Sequence, residues 1–305
     1  MKMNIPPTFK PAITDPWQLL FRPHKTGCYI NDHTLLRAHD GNWHLFGITR
    51  DQSQVNPDHE RYFAHGVGQA LISDGGFEEK EAACDFGSRA WAPALVRAHN
   101  RYYMFYGPDR CRLAVSDELY EWRETPVNLL GCPIDGCIRD QMVLPLHPDT
   151  WLMYATALDG GYGQVSVFIS NDLINWRFVQ FALRTSGKAP LNPPWGATES
   201  PFVVRYRGWY YLFTTYTDST TQTYHNTLVF RSLNPFDFGE YTGDNEAEVL
   251  VTRLHAHAPE IVCQPDRSQW YITTCGWRER SIPIEGAVAI APLEWLPDEI
   301  NFTSD

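Results

Sequence analysis

Three acidic residues, far apart in the chain, each stand at the head of an apolar run: Asp32 before Thr34-Leu-Leu, Asp140 before Met142-Val-Leu, and Glu199 before Phe202-Val-Val. Carboxyl groups held close in a partly desolvated site repel one another, so at least one keeps its proton near neutral pH while another stays ionised. That split supplies an acid and a base, or an acid and a nucleophile, which is what cleaving an acetal requires. A lone Asp before a strand is more often a turn cap. Three at matching places in a repeat call for a different explanation.

The elements that would bring them together form an internal repeat. Five times an acidic or Ala-Pro element leads into an apolar strand, a polar turn and an aromatic strand: Asp32…Trp43-His-Leu-Phe, Ala92-Pro…Tyr102-Tyr-Met-Phe-Tyr, Asp140…Trp151-Leu-Met-Tyr, Glu199-Ser-Pro…Trp209-Tyr-Tyr-Leu-Phe and Ala258-Pro…Trp270-Tyr-Ile-Thr. Repetition at roughly 50–60 residues predicts an all-β fold, a five-bladed β-propeller of four-stranded antiparallel blades. The blades start near residues 32, 92, 140, 199 and 258 of a single 1–305 domain. Residues 1–25 are an N-terminal extension that crosses the bottom or supplies a closing strand. Because the innermost strands line a central channel, the three acids are expected at one position of the repeat, facing one another at its mouth. The second and fifth units carry Ala there, so the fold itself does not demand an acid.

Other signals serve the frame. Asp40-Gly41 and Arg207-Gly208 carry hairpin chemistry. Ser116…Leu119…Trp122 and Ser170…Leu173…Trp176 share one spacing, in which Ser caps a turn while Leu and Trp fill the space between blades. The stretch Phe77 to Ala83 is the single place where a short helix is expected, and 51–69 and 177–198 read as long rim loops.

Composition bounds the partners. A net charge of -11 and a pI near 5.4 argue against nucleic acid, whose phosphates need a basic face. No run approaches a membrane span, and the N-terminus lacks the apolar core of a signal peptide, so a cytoplasmic location is expected. Seven Cys without a Cys-x-x-Cys pair predict reduced core thiols. There is no Walker loop, dinucleotide loop or serine-nucleophile elbow.

The motifs carry a resemblance. Asn31-Asp32…Asp40-Gly-Asn-Trp43-His-Leu-Phe46, Arg139-Asp140 and Glu199-Ser-Pro201 resemble the Asn-Asp-Pro, Arg-Asp-Pro and Glu-Cys-Pro motifs of glycoside hydrolase family 32, the β-fructosidases. Trp91-Ala-Pro93 and the Ser-x-x-Leu-x-x-Trp turns look more like family 43, the arabinanases, arabinofuranosidases and xylosidases. His33 and Gln141 stand where the family 32 pattern has Pro. The resemblance implies a five-bladed propeller hydrolase acting on an oligosaccharide, at a furanose-type or small non-reducing-end sugar. It implies Asp32 as nucleophile or base, Glu199 as general acid and Asp140 as stabiliser of the transition state. A phosphorylase on the same architecture and a catalytically silent sugar-binding propeller are the alternatives.

Substrate-binding candidates are Asn31 beside Asp32, Arg139 beside Asp140, the aromatic Trp91 and Trp195, and His257 and Glu260 of His255-Ala-His257-Ala-Pro-Glu260. Trp277 and Tyr162, the latter on a loop bordering the site, are weaker aromatic candidates. No cofactor is required. A His-x-His pair on a strand points one way, so a structural calcium or sodium ion in the channel near His257 is the one metal left open.

Overall fold

The computed structural model describes residues 5–27, 29–51, 53–54, 56, 59–72, 76–134, 138–189, 198–218, 223–276 and 283–298. The fold is the all-β five-bladed propeller that the repeat predicts. The inner strands of blades one to five are Asn31–Arg37, Trp91–Ala98, Ile138–His147, Thr198–Tyr206 and Ile261–Cys263. Each pairs antiparallel with the aromatic strand that follows it. Blade five is closed from the other end of the chain: Phe9–Ile13 pairs antiparallel with Val288–Pro297, Phe9 opposite Pro297 and Ile13 opposite Leu293. Part of the N-terminal extension is therefore the outer strand that closes the ring.

Two-residue period sets the core. On the aromatic strand of blade one, Leu45 packs towards blade five and Phe46 towards blade two; in blade three, Leu152 faces blade four and Met153 faces blade two. Each blade thus has two buried faces, and the core is a set of layers between neighbouring blades. The recurrent Ser turns complete these layers. Ser116 Oγ accepts the Leu119 N–H at 2.8 Å and Trp122 Nε1 donates to the Leu119 carbonyl at 3.2 Å; Ser170, Leu173 and Trp176 repeat this at 3.0 and 3.2 Å. Trp176 then lies edge-on to Phe105 of blade two, ring centres 5.6 Å apart. The hairpins His99-Asn100 and Arg207-Gly208 have positive φ at both central residues, the geometry whose twist matches that of the strands it joins.

Three expectations are corrected. Phe77 to Ala83 is not helical: Glu78–Glu79 is the outer strand of blade one, and the single helix among the described residues is the turn Glu246–Val249. Glu79 is held by its carboxylate, which accepts the amides of His24, Lys25 and Thr26 at 2.6–2.9 Å, a tertiary demand that overrides local helix propensity. The supposed rim loops contain strands, Tyr62–Gly68 in blade one and Asn175–Thr185 in blade three. Tyr162 follows the tight Gly160-Gly161 turn, and its hydroxyl donates to the Gly187 carbonyl at 2.9 Å.

Candidate active site

At the head of the inner strands of blades one to four the ladder to the aromatic strand slips, between Asn31 and His33, Trp91 and Ala94, Arg139 and Met142, and Glu199 and Phe202. In blades two to five one residue of this irregular segment is left-handed: Ala92 at φ 47, Asp140 at 56, Ser200 at 50 and Ala258 at 43. These residues and Asp32 form one ring around the channel. Asn31, Trp91, Arg139, Glu199 and His257, one residue earlier in each blade, form a second. Glu199 therefore does not occupy the repeat position of Asp32 and Asp140, as the sequence suggests. Ser200 does, and Glu199 shares its ring with Arg139.

The offset still lets the acids meet. Ser200 Oγ donates to Asp32 Oδ1 at 3.0 Å, and the Ser200 amide donates to Asp140 Oδ2 at 3.2 Å. Arg139, 2% exposed, points into the site. Its Nη2 donates to Glu199 Oε2 at 2.9 Å and its Nε lies 3.4 Å from Asp140 Oδ2. Asn31 Nδ2 donates to Asp32 Oδ2 at 3.2 Å. Gly163 of blade three permits this closeness, since a Cβ there would lie 2.0 Å from the Thr198 carbonyl oxygen beside Glu199.

Three carboxyl groups share one guanidinium, and that guanidinium lies against Asp140 and Glu199. Asp32 is the group left with neutral partners. Its pKa is pushed well above the usual carboxylate value, by burial first and then by repulsion from Asp140 and Glu199, while Ser200 and Arg139 pull it back. The resting site thus favours a proton on Asp32.

Asp32, Asp140 and Ser200 line a channel cavity of about 100 Å³ together with His33, Gln141 and Glu260 among others. His33 Nε2 lies 2.7 Å from Thr273 Oγ1, and burial followed by the charge of His257 depresses its pKa to about 3, so the ring is neutral. His257 is buried and its Nδ1 lies 2.9 Å from the Cys275 carbonyl, whereas His255 is exposed. The two do not point one way, because the strand Thr252–Leu254 ends before them. Among the described residues no group of three or more His, Cys, Asp or Glu is placed to hold a metal.

Glu260 lies deeper than a sugar contact at the mouth. Its Oε2 accepts the Leu35 amide of blade one at 2.6 Å, and burial pushes its pKa up to about 8 against the hydrogen bonds of Thr34 and Leu35. A carboxyl whose folded pKa is raised favours the fold at low pH, and that stability is lost as pH rises from the unfolded value through about 8. Glu260→Gln stays neutral and keeps an acceptor for Leu35. Its advantage in urea unfolding over wild type should be near zero at pH 4 and grow to on the order of a few kcal/mol above pH 8. An equal difference at both pH values would contradict this assignment.

Trp91 stands at the rim, partly exposed, with Arg89 5.3 Å from its ring centre. It lies beside Glu60, a buried carboxyl that accepts the Tyr29 hydroxyl and is pushed up to about 7 by burial. Trp195 and Trp277 lie outside the described residues. Ser200 and Glu60 escaped the sequence reading. For Ser200 the signal was present: matching the prolines of Ala92-Pro93, Ser200-Pro201 and Ala258-Pro259, rather than the acids, places Ser200 in the inner ring.

The fold is similar to the five-bladed propellers seen in solved glycoside hydrolases of families 43 and 32. Among solved structures, the GH43_1 enzyme from Xanthomonas citri complexed with xylotriose is similar over 90% of this chain and 89% of its own, with 14% identity and a TM-score of 0.61. An exo-1,5-alpha-L-arabinanase from a bovine ruminal metagenomic library matches over 89% and 95%, at 16% identity and a TM-score of 0.60. The Bombyx mori GH32 beta-fructofuranosidase matches over 93% of this chain but 63% of its own, at 14% identity and a TM-score of 0.65. At these identities the likeness is one of fold. No family model and no curated protein matches the sequence.

Proposed function

We propose that the protein is a glycosidase that hydrolyses a furanose-type or small non-reducing-end sugar from an oligosaccharide. The observation that carries this reading is the convergence of Asp32, Asp140 and Glu199 on one channel mouth, joined through Ser200 and Arg139. In this reading Glu199 protonates the leaving oxygen, Asp32 attacks the anomeric carbon or activates water, and Asp140 with Arg139 holds sugar hydroxyls as positive charge develops on the ring. Protons and water suffice for this chemistry, so no cofactor is invoked. The sugars named for the similar folds, a xylotriose, an arabinan and a fructofuranoside, support an oligosaccharide substrate.

The test is turnover of nitrophenyl arabinofuranoside and xyloside and of short arabinans, xylans and fructans, with and without inorganic phosphate. Hydrolysis independent of phosphate is expected. A strict need for phosphate would make the protein a phosphorylase, and sugar binding without turnover a silent propeller; either result overturns the proposal. Proton NMR of the first anomer released then separates retention from inversion.

A further inference from the structure

We propose that Ser200 is a positioning residue that clamps Asp32 and Asp140 together across the mouth of the channel. The inference rests on the glycosidase reading and deepens it. One residue holds both acids, the side-chain hydroxyl donating to Asp32 Oδ1 at 3.0 Å and the backbone N–H to Asp140 Oδ2 at 3.2 Å. The same amide lies 3.2 Å from Thr156 Oγ1, which anchors it to blade three. Blades one, three and four are tied at a single peptide unit.

The repeat supplies the control. Ala92 and Ala258 occupy the same ring at φ 47 and 43, close to the φ 50 of Ser200, and the Ala258 amide likewise donates to a strand threonine, Thr215, at 2.7 Å. Backbone and fold are thus satisfied by alanine at this position in two blades. The hydroxyl is an addition that the propeller does not require, and its partner is a reacting carboxyl. A left-handed non-glycine residue carries a strain cost, and such residues concentrate at functional sites. Here the left-handed turn coincides with an amide on Asp140 and a hydroxyl on Asp32.

The consequence is control of where Asp32 sits and how readily it ionises. The charged and titratable groups that face it are Asp140, Glu199, Arg139 and the buried Cys275 thiol. Ser200 and Arg139 favour the ionised form of Asp32, and Ser200 is in direct contact with it at 3.0 Å, on the oxygen opposite the one that Asn31 reaches at 3.2 Å. With the hydroxyl gone, Asp32 loses a donor to its carboxylate, its pKa rises further and its oxygen is free to turn.

The experiment compares Ser200→Ala, Ser200→Gly and Ser200→Cys with the wild-type chain, reading kcat, KM, the pH–rate profile and the carboxyl carbon-13 titration of Asp32. Ala and Gly variants should lose about 10–100-fold in kcat, the worth of one hydrogen bond to a charged group, with KM changed less than about threefold. The limb of the profile set by Asp32 should move to higher pH, together with its NMR titration. The thiol of Cys is a weak donor and should restore part of the loss. Glycine relieves the left-handed backbone, so a fault common to Ala and Gly belongs to the hydroxyl and not to strain. Wild-type kcat and an unmoved Asp32 titration in Ser200→Gly would overturn the proposal. If wild type itself hydrolyses no glycoside, the glycosidase reading fails, and the NMR titration still decides whether Ser200 governs Asp32.

Discussion

Replacing Glu199 by Gln should lower kcat on an unactivated oligosaccharide by about 10²–10⁴-fold, yet largely spare a dinitrophenyl glycoside, whereas Asp32→Asn should abolish turnover of both. The difference follows from the role proposed for each group. A general acid matters in proportion to how much its leaving group needs a proton, and dinitrophenolate needs little. A base or nucleophile is needed whatever departs. The electrostatics sharpen the expectation. Arg139 bonds Glu199 at 2.9 Å, while Asp32 is pushed up by burial, Asp140 and Glu199, so the resting proton is favoured on Asp32. With Asp32 acting as the base, kcat/KM rises with pH as that proton leaves, and the acid limb lies well above the ordinary Asp value of 3.8. Substrate hydroxyls that engage Arg139 then loosen its hold on Glu199, which favours the proton there. The mirror result, a good leaving group sparing Asp32→Asn, would exchange the two roles. Equal and modest losses in both variants would remove the pair from catalysis.

The propeller was legible because each blade repeats one pattern, an apolar inner strand and an aromatic second strand with a polar turn between, and because alternating side chains must satisfy two neighbours at once. Third and fourth strands were less legible. Tyr62–Gly68 holds glycines at 66 and 68, residues that ordinarily weaken a strand. Here they are used for close approach: a Cβ on Gly66 would meet the Phe21 ring at 2.9 Å, and one on Gly68 the Phe77 ring at 2.7 Å. Those partners come from outside the segment, so no local reading reveals them. The candidate site was legible in its acids and blurred in its register. Asp32 and Asp140 were read at their structural positions, but Glu199 was matched by charge type, and a shift of one residue in a strand exchanges the face that a side chain presents. Arg139 shows the reverse case. Its sequence position beside Asp140 left its direction open, since neighbours on a regular strand point to opposite faces. The slipped ladder, with Asp140 at φ 56, lets Arg139 and Asp140 share one site.

Removing that guanidinium should be the largest single stability loss in the site. Arg139→Met leaves Asp32, Asp140 and Glu199 together in a buried mouth without their cation, and breaking a buried ion pair from one side costs about 3–5 kcal/mol. The loss should depend on pH with a definite sign. Without Arg139, Asp32 loses an interaction that lowers its raised pKa and binds its proton still more tightly in the folded state, so stability is kept in acid and drains away as pH rises through its folded value. Urea unfolding of Arg139→Met should therefore approach wild type near pH 4 and fall furthest behind at pH 8. Adding Glu199→Gln removes the charge that Arg139 bonds at 2.9 Å, so the double variant should be more stable at pH 8 than the sum of the single effects. A pH-independent loss with additive single effects would mean that Arg139 supports the blade by packing alone, and the charge balance drawn for Asp32 would lose its counterweight. The coupled result instead ties the stability of the channel mouth to the same arginine that sets which acid carries the proton.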